Sequence, residues 1–231
     1  MKSEYYQVKF IIIGDSFVGK TNIYYRFVKG DFKNDYEPTV VLNFLYQKIK
    51  IKDKNFTLQL WDTAGSEQYK SVTRGYYSNS ACCIFVYDIT NEASFNSIND
   101  WVEEVKNNVD EKTILILVGN KYDLSNERKI TEDQGSALAL QYNMKFIETS
   151  AKTGYNIDEI FKIACQQIYE NIEKKVYDFE NNEEIYGIKI CHSNNDFVYN
   201  KTFALKTEKD DVHNQSNKGS RKSVKNKKKK C

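Results

Sequence analysis

The sequence is poor in residues that punctuate or staple a chain. One proline and ten glycines among 231 residues exclude collagen-like and other fibrous classes. The five cysteines, Cys82, Cys83, Cys165, Cys191 and Cys231, show no framework spacing. A chain of this length can bury a core without disulfides, so a reducing, cytosolic compartment is expected. No run approaches 18 consecutive apolar residues, which argues against a transmembrane helix. The start, Met1-Lys2-Ser3-Glu4-Tyr5-Tyr6, has neither the apolar stretch of a secretory leader nor the glycine that myristoylation requires. What is present is core material. The chain is 40% hydrophobic and 14% aromatic, which separates it from disordered chains.

Net charge is only +2, but it is unevenly placed. Residues 214–231 hold eight Lys and Arg and no acid, so residues 1–213 carry 26 cations against 32 acids, a net of −6. A mildly acidic body does not suit nucleic acid. A basic tail suits an anionic membrane surface.

Apolar runs alternate with amphipathic segments over the first 170 residues. Val8–Ile13, Cys82–Tyr87, Ile114–Val118 and Lys145–Ile147 read as buried parallel strands. Leu45–Ile51 and Phe56–Trp61 alternate and are split by Asp53-Lys54-Asn55, which reads as a hairpin. Ser94–Val105, Thr131–Gln141 and Ile157–Ile172 have helical spacing. In the last, Ile157, Ile160, Phe161, Ala164, Ile168 and Ile172 share one stripe. Strands alternating with helices imply an α/β fold with a mostly parallel sheet covered on both faces. The pattern fails after Ile172. This places a domain at residues 1–175 and a largely disordered tail at 176–231, in which Ile188–Ile190 and Phe197–Tyr199 are candidate short strands or docking segments.

Gly14-Asp15-Ser16-Phe17-Val18-Gly19-Lys20-Thr21 fits G-x-x-x-x-G-K-[ST] between a strand and a helix. Its backbone must curl around phosphates, so glycine is expected where a side chain would block their approach. N–H groups of the loop and the following helix would face the β-phosphate. Lys20 would bridge the β- and γ-phosphates, and the Thr21 hydroxyl would ligate Mg²⁺. This loop alone does not separate a GTPase from an ATPase or a nucleoside kinase. Three later segments do. In Asn120-Lys121-Tyr122-Asp123 a carboxylate can accept both N1–H and the exocyclic amine of guanine, a donor pair adenine lacks. The Lys121 stem can lie along the base. Ser150-Ala151-Lys152 can offer a backbone N–H to guanine O6. Trp61-Asp62-Thr63-Ala64-Gly65 would put Asp62 near Mg²⁺ and the Gly65 N–H near the γ-phosphate.

On these residues the chain resembles a Ras-superfamily small GTPase over positions 7–172, and within that superfamily it is most similar to Rab proteins. Leu58–Gly65, Tyr76-Tyr77 before Ala81, Val86–Thr90 and Glu148–Thr153 carry the Rab likeness. The resemblance implies a P-loop G domain with a six-stranded, mostly parallel sheet. It makes Thr39 the switch I threonine that senses Mg²⁺ and γ-phosphate, sets Phe32 against the guanine and places Tyr36 beside the phosphates. Catalysis would then rest on Lys20, Thr39, Gly65 and the residue at position 66. The Rab aromatic triad falls on Phe44, Trp61 and Tyr76, which composition alone reads equally well as core aromatics.

Three departures qualify the resemblance. Ser66 stands where the family has the glutamine that orients the attacking water, and serine is shorter and lacks its paired donor and acceptor. Slow intrinsic hydrolysis is therefore expected. Switch I reads Thr39-Val40-Val41-Leu42-Asn43-Phe44, with valine and asparagine for the Rab glycine and aspartate. Pro38-Thr39-Val40 is similar to Ras and Rho. The end, Lys227-Lys228-Lys229-Lys230-Cys231, is neither C-a-a-X nor a cysteine pair. Cys231 is still expected to be prenylated, with palmitoylation or a free thiol as alternatives. The reading is a monomeric, Rab-like GTP/GDP switch in vesicle trafficking, lipid-anchored on the cytoplasmic face of an intracellular or plasma membrane, with a cytosolic pool. Its partners would be GTP with Mg²⁺, an exchange factor, a GTPase-activating protein and effectors meeting both switches, and the prenylation machinery. A GTP-holding scaffold that scarcely hydrolyses, or a Ras/Rho-like signalling switch, remains the alternative.

Overall fold

The computed structural model describes residues 3–32, 43–62, 75–180, 184–193 and 201–203. In chain order the strands are β1 Ser3–Ile13, β2 Asn43–Ile51, β3 Lys54–Asp62, β4 Cys82–Asp88, β5 Ile114–Asn120, β6 Lys145–Glu148, β7 Glu184–Ile185, β8 Ile188–Ser193 and β9 Lys201–Phe203. The helices are α1 Lys20–Lys29, α2 Glu92–Asn96, α3 Ile98–Lys106, α4 Glu132–Gln141 and α5 Ile157–Glu173. One sheet runs in the order β6-β5-β4-β1-β3-β2-β9, with β8 along β1 and β7 along β8. Pairing is parallel from β6 to β3. The β2–β3 hairpin is antiparallel.

The two-residue period of the strands builds one core on each face. Val8, Phe10 and Ile12 point to the face covered by α1 and α5, with Ile23, Phe27, Ile160 and Phe161. Ile11 and Ile13 point to the face covered by α3 and α4, with Trp101, Val102, Val105 and Leu138. All seven residues of β4 are buried, as expected of a central strand covered on both sides. The Phe27 and Phe161 rings stack with centroids 3.7 Å apart, joining α1 to α5. Burial of each large apolar side chain contributes about 1.5–3 kcal/mol. Buried Cys82, Cys83 and Cys165 act as small hydrophobes in these cores. Burial pushes the Cys83 thiol up to about 12 and raises the other two well above the usual thiol value.

Local boundaries differ from the sequence expectation in two places. The hairpin turn is Lys52-Asp53, because Lys54 and Asn55 pair with Ile51 and Lys50; polar strand ends resemble loop in sequence. The helix expected over 94–105 is interrupted at Ser97, whose hydroxyl donates to the Ala93 carbonyl. The α4 start is a capping box, with Thr131 Oγ1 accepting from Gln134 N and Gln134 Oε1 accepting from Thr131 N.

Packed structure continues past the expected boundary at residue 175: Tyr177 is 4% exposed and Ile188 fully buried in the α1/α5 core, and among the described residues the sheet has nine strands where six were expected. β4 meets β1 only from Phe10 onward, which leaves that edge of Ser3–Val8 open. The tail returns and fills it, pairing antiparallel from Ser3↔Ser193 to Val8↔Ile188. At the junction, Lys9 N donates to Gly187 O while Lys9 O accepts from Ala81 N, both at 2.9 Å. Gly187 is required there. Its φ is +73°, and a Cβ would lie 2.3 Å from Asn79 O. Of the two candidate tail segments, Ile188–Ile190 lies within β8. Phe197–Tyr199 lies outside the described residues.

Candidate nucleotide site

Strands β1, β4, β5 and β6 are parallel, so the loops after them emerge at one end of the sheet. β1 lies between β3 and β4, so the chain order reverses there. In open α/β sheets this is where ligands bind.

The loop 14–19 joins β1 to α1. Gly14 has φ +143° and Gly19 φ +97°. The reason for glycine differs from the expectation of phosphate approach alone. A Cβ at Gly14 would sit 2.2 Å from Val86 O on β4, and one at Gly19 would sit 2.4 Å from Asn120 Nδ2. Packing against the neighbouring strand ends therefore fixes both. Asp15 Oδ1 accepts from the indole N–H of Trp101 on α3 at 2.7 Å. Ser16 is half-buried, and Val18 is buried with its carbonyl held by Asn120. Lys20 is buried and donates to Gly14 O and Asp15 O at 2.8 and 2.7 Å. Burial pulls its ammonium down to about 8, against the opposing pull of Asp62 and Asp15. An anion beside Lys20 would offset that burial cost. The Thr21 hydroxyl donates to Asp62 Oδ2 at 2.7 Å, across 41 residues of sequence. Two hard oxygen donors brought together beside a phosphate-type loop fit Mg²⁺.

Asn120, at the end of β5, ties three segments together. Its Nδ2 donates to Val18 O at 2.9 Å, and its Oδ1 accepts from Thr149 Oγ1 and Ala151 N, each at 3.2 Å. Of the backbone N–H groups of residues 150–152, one of which is expected to reach guanine O6, that of Ala151 is directed at Asn120. Asp123 Oδ1 accepts from Ser150 Oγ at 2.6 Å, and its Oδ2 lies 3.9 Å from Lys152 Nζ. Lys121 has φ +69°, and its ammonium pairs with Asp88 Oδ2 at 2.7 Å. A cavity of about 380 Å³ opens among these segments, within the size range of small-molecule sites. Asn120, Lys121, Asp123, Leu124, Ala151 and Lys152 line one part; Phe17, Gly19, Asn22 and Phe32 line the rest.

Sequence reasoning missed Trp101, Asp88 and Arg26. Arg26 on α1 donates to Ala151 O at 2.9 Å and Lys152 O at 2.6 Å, holding the 150–152 loop against the helix. For Trp101 the only signal was general: a buried indole N–H needs an acceptor, but the sequence does not say which. Of the residues expected in the site, Tyr36, Thr39, Gly65 and Ser66 lie outside the described residues, as does Cys231. Away from the cavity, the Phe44 and Trp61 rings lie 4.8 Å apart and Trp61 and Tyr76 5.6 Å apart. Phe44 is 36% exposed and the other two are half-buried, so the three form a surface row.

Comparison with known proteins places this geometry in context. The Ras family model matches residues 9–170. Ras-related protein RABA6a of Arabidopsis thaliana is 37% identical over 171 residues, covering 74% of this chain and 73% of that protein.

Proposed function

The chain belongs to the Ras family as a Rab-like small GTPase, and from that premise we propose that it cycles between GTP and GDP to control membrane traffic. The observation that supports this best is the junction at Asn120. One side chain links the 14–21 loop to the 149–151 loop, beside a cavity that Asp123 lines.

In this reading Asp123 accepts the two guanine donors, with Ser150 orienting its carboxylate. The Lys121 stem lies along the base while Asp88 holds its ammonium. Phe32 presses on the base from the other wall, and Tyr36 flanks the phosphates. The loop N–H groups and Lys20 bind the β- and γ-phosphates, stabilising charge that builds in the transition state. Thr21, Thr39 and, through water, Asp62 would hold Mg²⁺, which supplies further charge neutralisation. Water attacks the γ-phosphorus in line; the bond to the β-phosphate oxygen breaks, leaving GDP and phosphate. Gly65 N–H binds the γ-phosphate, and Ser66 replaces the group that would orient the water.

The surface row Phe44–Trp61–Tyr76 supports partner binding, since exposed apolar clusters mark interaction sites. Effectors would read it together with switches I and II. An exchange factor and a GTPase-activating protein would reset the cycle. The lysines before Cys231, with a prenyl group added by the prenylation machinery, would hold the chain on an anionic cytoplasmic membrane face.

Single-turnover GTP hydrolysis tests the reaction. Wild type is expected to turn over slowly, and Ser66→Gln to speed the step by about tenfold, equal to roughly 1.4 kcal/mol of barrier. An unchanged rate would show that another group positions the water. Undetectable turnover in both proteins would favour a scaffold that holds GTP, the reading Ser66 itself suggests.

A further inference from the structure

Two exposed tyrosines sit in the loops that line the base end of the cavity. Tyr122 lies between Lys121 and Asp123, after β5, and Tyr155 follows Lys152, after β6. Their rings stack, with centroids 4.8 Å apart and planes 22° from parallel, although Tyr122 is 39% and Tyr155 47% exposed. The Arg128 guanidinium lies 5.8 Å from the centre of the Tyr122 ring, within cation–π range. That guanidinium is forked on the carboxylate of Glu148, the last residue of β6. The backbone repeats the connection: Tyr122 N donates to Thr149 O at 2.9 Å, and Ser150 N donates to Tyr155 O at 3.0 Å. Ser150 in turn gives its hydroxyl to Asp123.

We infer that the Tyr122–Tyr155 stack is a clamp that holds the two base-recognition loops against each other and slows nucleotide release. Both tyrosines are then positioning residues. The inference rests on the nucleotide reading above, which gives neither ring a contact with base or phosphate. β6 stands at the end of the strand order, so the loop after it has a neighbouring strand's loop on one side only. Neither ring is part of either hydrophobic core, so their contact energy goes to the relative position of the two loops. A stack of this kind contributes only while both loops are in place. The same arrangement brings Asp123, Ala151 and Lys152 to one cavity. Any opening that frees a base by parting these loops must break the stack.

The test is the dissociation rate of tritiated GDP from the full-length chain carrying Tyr122→Ala, Tyr155→Ala or both. Each single variant should release GDP about three- to tenfold faster, the size of one aromatic pair. The double variant should be no faster than Tyr122→Ala alone, because either substitution already removes the stack. Phe at either position keeps the ring and should retain GDP as wild type does. Urea unfolding identifies any variant that fails to fold. Tyr155→Phe against Tyr155→Leu then carries the comparison, with Leu expected to release faster. Release from both Ala variants at the wild-type rate, or separate effects that multiply in the double variant, would overturn the inference while leaving the nucleotide reading intact. Failure of wild type to retain any GDP would overturn the nucleotide reading itself, and the clamp with it.

Discussion

At the scale of single residues, the site depends on side chains that hold loops as much as on side chains that would touch a ligand. Asn120 is buried and satisfies one carbonyl, one hydroxyl and one N–H at once. Asn120→Ala would strand those buried partners at about 1–3 kcal/mol for each group left unsatisfied. We expect a loss of about 2–5 kcal/mol in urea unfolding and weaker GDP binding; a variant as stable as wild type would contradict this role. Trp101→Phe removes the N–H bonded to Asp15 and leaves space where the larger buried indole packed, so it should cost about 2–4 kcal/mol by the same measurement, with GDP released faster. The sequence made Asn120, Asp123 and Lys20 legible because each belongs to a short motif whose spacing carries chemistry. Trp101 and Arg26 were not legible as site residues. Their partners lie 86 and 125 positions away, and only the folded sheet brings them together.

At the scale of elements, the alternation of apolar runs with helical stripes was enough to read β1 to β6 and the long helices. That signal is local, and each strand's two faces are fixed by its own period. The return of the tail was not readable in this way. β7 and β8 are short, and β8 forms because the Ser3–Val8 edge of β1 lies beyond the reach of β4. An open edge elsewhere in the chain cannot be seen from residues 184–193 themselves. Ile188 is fully buried against the first core, so Ile188→Ala should destabilise the fold by about 2–5 kcal/mol. Gly187→Val should be at least as damaging, since a Cβ there meets Asn79 O at 2.3 Å on a positive-φ backbone. Both effects are read as lower urea midpoints with GDP affinity measured alongside. A wild-type midpoint for both variants would show that β8 contributes nothing to the domain.

At the scale of the whole molecule, a G domain extended by its own tail carries a basic terminus of opposite charge to its body. One lipid chain gives only marginal membrane binding, about 10⁴ M⁻¹ for a myristoyl group. Basic residues near an anionic leaflet add roughly 1 kcal/mol each. Cys231→Ser and neutralisation of Lys227 to Lys230 should therefore each release most of the protein to the cytosol, as cell fractionation would show. Full membrane retention of Cys231→Ser would contradict the lipid anchor.

The central claim is that the cavity beside Asp123 selects guanine, and nucleotide competition on the full-length chain tests it most directly. Radiolabelled GTP is displaced with unlabelled GTP, ATP or xanthosine triphosphate, from wild type and from Asp123→Asn. A carboxylate accepts both guanine donors, whereas a carboxamide loses one of those bonds and can donate to the xanthine C2 carbonyl. Wild type should prefer GTP strongly over ATP. Asp123→Asn should lose GTP affinity by roughly tenfold or more, as expected for a lost bond to a buried polar group, and gain affinity for xanthosine triphosphate. Equal displacement of wild type by GTP and ATP, or full GTP affinity in Asp123→Asn, would contradict the account.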